Sequence, residues 1–144
     1  MYASRRAVAA VVVAVGLLGL LAGCGKDVPK TYPVTGKFVF PGGDVRKLAG
    51  HHVEAALEAD PAVRASGVIG ADGSFTLETL HAGTILRGAR EGKYQVRIVP
   101  ADEDDDGRKL RKPPVASRAF QFGNSGLSIQ VPAASDVTLE VPAR

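Results

Sequence analysis

From Pro33 onward, apolar residues recur at every second position inside short segments that glycine, proline or an Asp-Gly pair cuts off. A period of two is the mark of a strand with one buried face. Val34, Phe38 and Phe40 share a face with Gly36 between them, and Pro41-Gly42-Gly43 stops the run. Next, His51, Val53, Ala55 and Leu57 fall on one side and His52, Glu54, Ala56 and Glu58 on the other, which predicts a half-buried antiparallel strand. Ser66 to Gly70 and Ser74 to Thr79 flank Ala71-Asp72-Gly73. This spacing predicts a hairpin in which Gly73 takes the positive φ of a tight turn and Phe75 and Leu77 point inward. Lys93 to Val99 alternates again, with Tyr94, Val96 and Ile98 inward, until Pro100 ends it. Ser117 to Phe122, Leu127 to Val131 and Val137 to Val141 supply three more short strands. The one weak helical reading, Ala55 to Val68, is interrupted by Pro61.

These elements predict an all-β fold: a single antiparallel β-sandwich of seven to eight strands with Greek-key connections. Its expected core is Val34, Phe38, Phe40, Val53, Leu57, Phe75, Leu77, Tyr94, Val96 and Ile98.

The first residues follow a different pattern. Met1 to Arg6 is short and cationic, and Ala7 to Ala22 is an unbroken run of alanine, valine, leucine and glycine that ends at Gly23-Cys24. That is the three-part layout of an export signal. The run is shorter than the ~20 residues of a spanning helix and carries Gly16 and Gly19, although an uncleaved anchor is the competing reading. Leu21-Ala22-Gly23-Cys24 resembles the bacterial lipobox. The resemblance implies that the Cys24 thiol receives a diacylglyceryl group, that the signal is cut before it, and that the freed amine is acylated. Several acyl chains, each methylene worth roughly 0.8 kcal/mol on burial, then hold a domain on a bilayer. The expected organisation is a lipoprotein signal peptide over 1–23, a lipidated cysteine and tether over 24–32, and the sandwich domain over 33–144. Aspartate does not directly follow Cys24, which favours the outer membrane, facing the periplasm or the cell surface.

A second resemblance covers roughly Pro33 to Val99. Pro33-Val34-Thr35-Gly36-Lys37-Phe38, Leu48-Ala49-Gly50, Asp72-Gly73-Ser74-Phe75 and Gly92-Lys93-Tyr94-Gln95-Val96 resemble the carboxypeptidase regulatory-like, or transthyretin-like (prealbumin-like), β-sandwich domain. It implies a non-catalytic module that supports, binds or spaces, and it brings no shared active site.

Composition refines this. Of 144 residues, all 9 prolines and 14 of the 17 glycines lie beyond the signal, which suits short strands better than long helices. Once Arg5 and Arg6 leave, 16 basic residues face 15 acidic ones, so the formal charge of +3 drops to +1 and no nucleic-acid surface is implied. One cysteine excludes a disulfide framework and a cysteine-based zinc site. The implied partners are a membrane, through the lipid on Cys24, and a protein of the envelope.

Four groups of residues offer chemistry. Asp102, Asp104, Asp106 and Gly107 match the first half of a calcium loop, and the alternative function is therefore a calcium-responsive adhesion or assembly domain; the leading expectation is a solvated loop and no cofactor. Position twelve of such a loop, however, is Pro113 rather than glutamate, and Arg108, Lys109, Arg111 and Lys112 follow directly, ready to neutralise the acids in water. His51 and His52 are neighbours on one strand, so their rings point to opposite faces, and His81 is thirty residues away. Ser125 within Gly123-Asn124-Ser125-Gly126 lacks the setting of a nucleophile elbow, and Asn124 and Lys37 are poorly placed for an isopeptide bond. Arg87, Arg90 and Lys93 beside Tyr94 could form a small basic rim. No enzyme is implied.

Overall fold

The computed structural model describes residues 27–142. The expected signal segment and the expected lipidation residues Leu21, Ala22, Gly23 and Cys24 lie outside the described residues. Buried and exposed side chains alternate along β1 (Thr35–Val39), placing Gly36 and Phe38 inward. The remaining strands are β2 (His52–Leu57), β3 (Asp60–Val68), β4 (Ser74–Thr76), β5 (Glu78–His81), β6 (Thr84–Arg87), β7 (Gly92–Val99), β8 (Leu127–Val131) and β9 (Val137–Glu140). Single 3-10 turns stand at Val45–Leu48 and Ser117–Phe120. The fold is all-β, with a three-stranded sheet in the order β4-β1-β9 and a six-stranded sheet in the order β6-β5-β3-β2-β7-β8. One apolar cluster joins them, as in a β-sandwich.

That cluster contains nine of the ten expected core residues. Phe38, Val53, Val96 and Ile98 are fully enclosed, and the Phe38 and Phe75 rings meet at 5.2 Å between centroids. Full burial of such side chains contributes about 1.5–3 kcal/mol each. The exception is Leu57, which is half-buried against the core because the β2–β3 register shifts between Ala56 and Leu57. Ala56, expected to be wet, is buried outside the main cluster, where Arg64 and Gln95 stand opposite it on the neighbouring strands. Ile69, Leu48, Val115 and Val131 complete the interior.

The structure departs from the expected sandwich at four places. There are nine strands among the described residues, because Asp60–Val68 forms one continuous strand with Pro61 near its start and Thr84–Arg87 adds another. The sandwich is not wholly antiparallel: β1 pairs β4 antiparallel but pairs β9 in parallel, from Gly36 opposite Val137 to Val39 opposite Glu140. These are the first and last strands of the domain, and the whole intervening chain serves as their connection. Ser66 to Thr79 is not a hairpin within one sheet. The turn itself forms, with Gly73 at φ 84° and Gly70 N–H donating to Ser74 O at 2.8 Å, but it carries the chain from β3 in the large sheet to β4 in the small one. Finally, Ser117 to Phe122 is a 3-10 turn and its exit rather than a strand; Ala119 alone of Ser117–Phe120 is fully buried.

Candidate functional site

The outward side chains of the large sheet fall into two territories. On the first, Glu54 of β2 is flanked by Arg64 of β3 and Arg97 of β7, whose guanidinium groups approach its two carboxylate oxygens at 2.8 and 2.6 Å. Strand register sets this up, since Ser66 and Arg97 stand directly across from Glu54 and Arg64 lies one outward position further along β3. Burial pushes the Glu54 carboxyl up, but the hydrogen bonds and charges of Arg64 and Arg97 outweigh it and hold the group below the usual carboxylate range. Phe122, in the loop after the second 3-10 turn, lies against both arginines, 4.5 Å from Arg97 Cζ and 5.4 Å from Arg64 Cζ. Cation–π attraction thus clamps that loop over one half of the sheet.

The second territory is open. It is a groove of about 900 Å³ lined on one side by His52, Val68, Glu78, Leu80 and Ile85 of the large sheet. On the other side stand Thr35, Ser74, Thr76 and Asp136 around the small sheet, where the Thr35 hydroxyl donates to the Asp136 carboxylate. Leu80 and Ile85 face each other across the β5–β6 ladder and are 71% and 64% exposed. The two-residue turn between their strands has positive φ at both Ala82 and Gly83, the combination that matches a tight hairpin to strand twist. Among the described residues strand β6 is an edge of the large sheet. The pattern Thr84-Ile85-Leu86-Arg87 carries only half of this signal: of two adjacent apolar residues in a strand one must face away from the core, and the β5–β6 pairing makes Ile85 that residue.

The residues singled out from the sequence are dispersed. Asp104 and Asp106 do come together, but on Arg108: Asp104 accepts from Arg108 Nε at 2.7 Å and from the backbone N–H groups of Arg108 and Asp106, and Asp106 accepts from Arg108 at 3.4 Å. The Arg108 backbone hydrogen bond first, and the guanidinium with it, holds the Asp104 carboxyl below the usual range. Asp102 stands apart from this clasp as an exposed residue whose carbonyl accepts from Leu110 N–H. Among the described residues no three histidine, cysteine or carboxylate side chains converge to hold a metal ion.

His51 is buried, His52 lines the groove and His81 ends β5. Ser125 is buried with its hydroxyl committed to the backbone, donating to Val96 O at 2.5 Å and accepting from Leu127 N–H at 3.1 Å. Asn124 is exposed and donates to Gln121. Of the basic rim, Lys93 pairs with Glu58 at 3.2 Å and Arg87 stands across from Glu78. No described helix is long and apolar enough to cross a membrane. Comparison with protein-family models, with curated proteins and with solved structures gives no match.

Proposed function

We propose that this protein is a lipid-anchored lipoprotein of the bacterial cell envelope, in which a non-catalytic, transthyretin-like sandwich with Greek-key connections serves as a binding or structural module. The observation that carries this reading is the placement of its open groove and free edge strand on the side of the domain where the tether joins. Tyr32 N–H donates to Ala89 O at 2.8 Å and Ala89 N–H returns the bond at 3.0 Å, so the chain arriving from Cys24 is fastened immediately after β6. The lipobox cysteine precedes this junction by eight positions in the sequence. The enclosed position of Val34, Phe38, Phe75, Tyr94 and Val96, residues of the motifs that resemble the transthyretin-like domain, supports the fold assignment. The engagement of Ser125 and His51 with backbone groups supports a non-catalytic role.

Metabolic labelling with a fatty acid, followed by mass spectrometry of the detergent-extracted protein, tests the reading. The expected product begins at Cys24 with acyl chains on sulfur and amine, and Cys24→Ser releases the protein from the membrane fraction. An intact Met1 with an unmodified thiol would overturn it.

A further inference from the structure

We infer that the β5–β6 hairpin rests on the bilayer surface to which Cys24 ties the chain, with Leu80 and Ile85 entering its interfacial layer. The inference rests on the lipid-anchor reading and names the occupant of the exposed hairpin as an anionic lipid surface. Three observations carry it. The first is the exposure of Leu80 and Ile85, paired across the hairpin whose outer strand β6 forms the sheet edge, a feature that soluble domains usually cover or charge.

The second is the reach of the tether. Tyr32 stands eight positions after Cys24 in the sequence, so even a fully extended chain between them spans no more than ~29 Å. Ile85 is four residues from Ala89, the partner of Tyr32, or ~13 Å along an extended chain. A lipid on Cys24 thus keeps the hairpin within about a tether length of the headgroups, a confinement that turns weak apolar contact into an intramolecular one. The junction is firm. Gly88 sits at φ 86°, and a side chain there would meet the Tyr32 carbonyl at 1.9 Å.

The third is the distribution of charge. Strands β7, β2, β3 and β5 run antiparallel in succession, so the Ala82-Gly83 turn lies at the Gly92 end of the large sheet. The acidic run Asp102 to Asp106 follows the other end of β7, a strand of eight residues and therefore ~26 Å long. A hairpin on the membrane points this acidic run away from anionic headgroups, while at the Gly92 end Glu58 is neutralised by Lys93 at 3.2 Å.

Full-length lipidated protein reconstituted into vesicles of phosphatidylethanolamine and phosphatidylglycerol provides the test. An environment-sensitive fluorophore is attached through Ile85→Cys in one sample and Glu103→Cys in another, the acylated Cys24 being unreactive. Doxyl-labelled lipid should abolish most of the emission at position 85 and leave position 103 unchanged. Equal emission loss, or none, in protein that floats with the vesicles would overturn the hairpin contact and leave the anchor reading intact. Failure to float, with a second free thiol available for labelling, would overturn the anchor reading and this inference with it. A photo-crosslinking residue at position 85 in intact cells should give lipid adducts; a discrete protein adduct instead would show that a protein strand occupies the edge and would also overturn the inference.

Discussion

The imidazole Nδ1 of His51 accepts the backbone N–H of Ala101 at 3.0 Å. The ring also lies close to the backbone of Arg111, so one buried side chain stands against both ends of the acidic loop. This explains how a polar stretch of chain keeps a defined position without an apolar core of its own. The Asp104–Arg108 clasp organises the loop from within, and His51 organises it from beneath.

Burial is the main influence on His51 and depresses its pKa below the ordinary value of 6.5, against the opposing pull of the Arg111 backbone. With the folded value below the unfolded one, the stability associated with a neutral ring is fully present above pH 6.5. It is lost as pH falls toward and through the native value, because the unfolded chain accepts the proton first. Denaturant titrations from pH 7.5 downward should show this decline. His51→Phe should flatten it while costing about 1–3 kcal/mol at neutral pH, because Ala101 N–H loses its acceptor.

Glu54 titrates lower, and its contribution has the same sign for a different reason. The arginines hold its folded pKa below the unfolded value of 4.5, so its contribution is present above that pH and lost as acid protonates it. Glu54→Ala leaves two guanidinium groups facing each other across β2 and should lower stability by about 1–3 kcal/mol, measured by urea unfolding at pH 7. Phe122→Ala should cost less and increase proteolytic cleavage between Phe120 and Gly126, because it removes only the contact that clamps this loop.

Gly88→Ala probes the junction of Tyr32 with Ala89. The substitution demands a left-handed backbone from a residue with a side chain and collides with the Tyr32 carbonyl. A loss of at least ~2 kcal/mol is expected. Hydrogen exchange at Tyr32 and Ala89 should accelerate more than exchange in β7, which identifies the damage as local.

Leu80→Ser combined with Ile85→Ser should leave the thermal midpoint of the domain nearly unchanged, since both side chains are largely exposed. Phe75→Ala, by contrast, should cost about 3–5 kcal/mol, because its ring is enclosed with Phe38. Calorimetry on the two variants separates surface from core.

The strands legible in the sequence are those whose environment is two-sided. Tyr94, Val96 and Ile98 face the core while Lys93, Gln95 and Arg97 do not, and period two reports this directly. Pairing is a non-local property and was not legible. Asp72-Gly73 specifies a bend, but whether the following strand returns to β3 or crosses to β1 depends on where Phe75 finds Phe38, and no local pattern encodes that. Ser117 to Phe122 misleads for another reason. Phe120 and Phe122 imitate strand alternation, yet Phe122 is satisfied on the outer surface by two cations, an aromatic position that periodicity assigns to the interior. On the candidate surface, charge and histidine motifs drew attention to residues that the fold keeps apart. The exposed pair Leu80 and Ile85 carried no motif and emerged only once β5 and β6 were paired.

The parallel union of β1 with β9 gives the domain a mechanical character. Tension between the chain entering β1 and the chain leaving β9 acts at opposite ends of two strands pointing the same way. Rupture in that geometry requires the ladder bonds to slide together under shear rather than peel one at a time. A module held at a wall by its leading end and pulled by its trailing end would resist extraction through the strength of this seam.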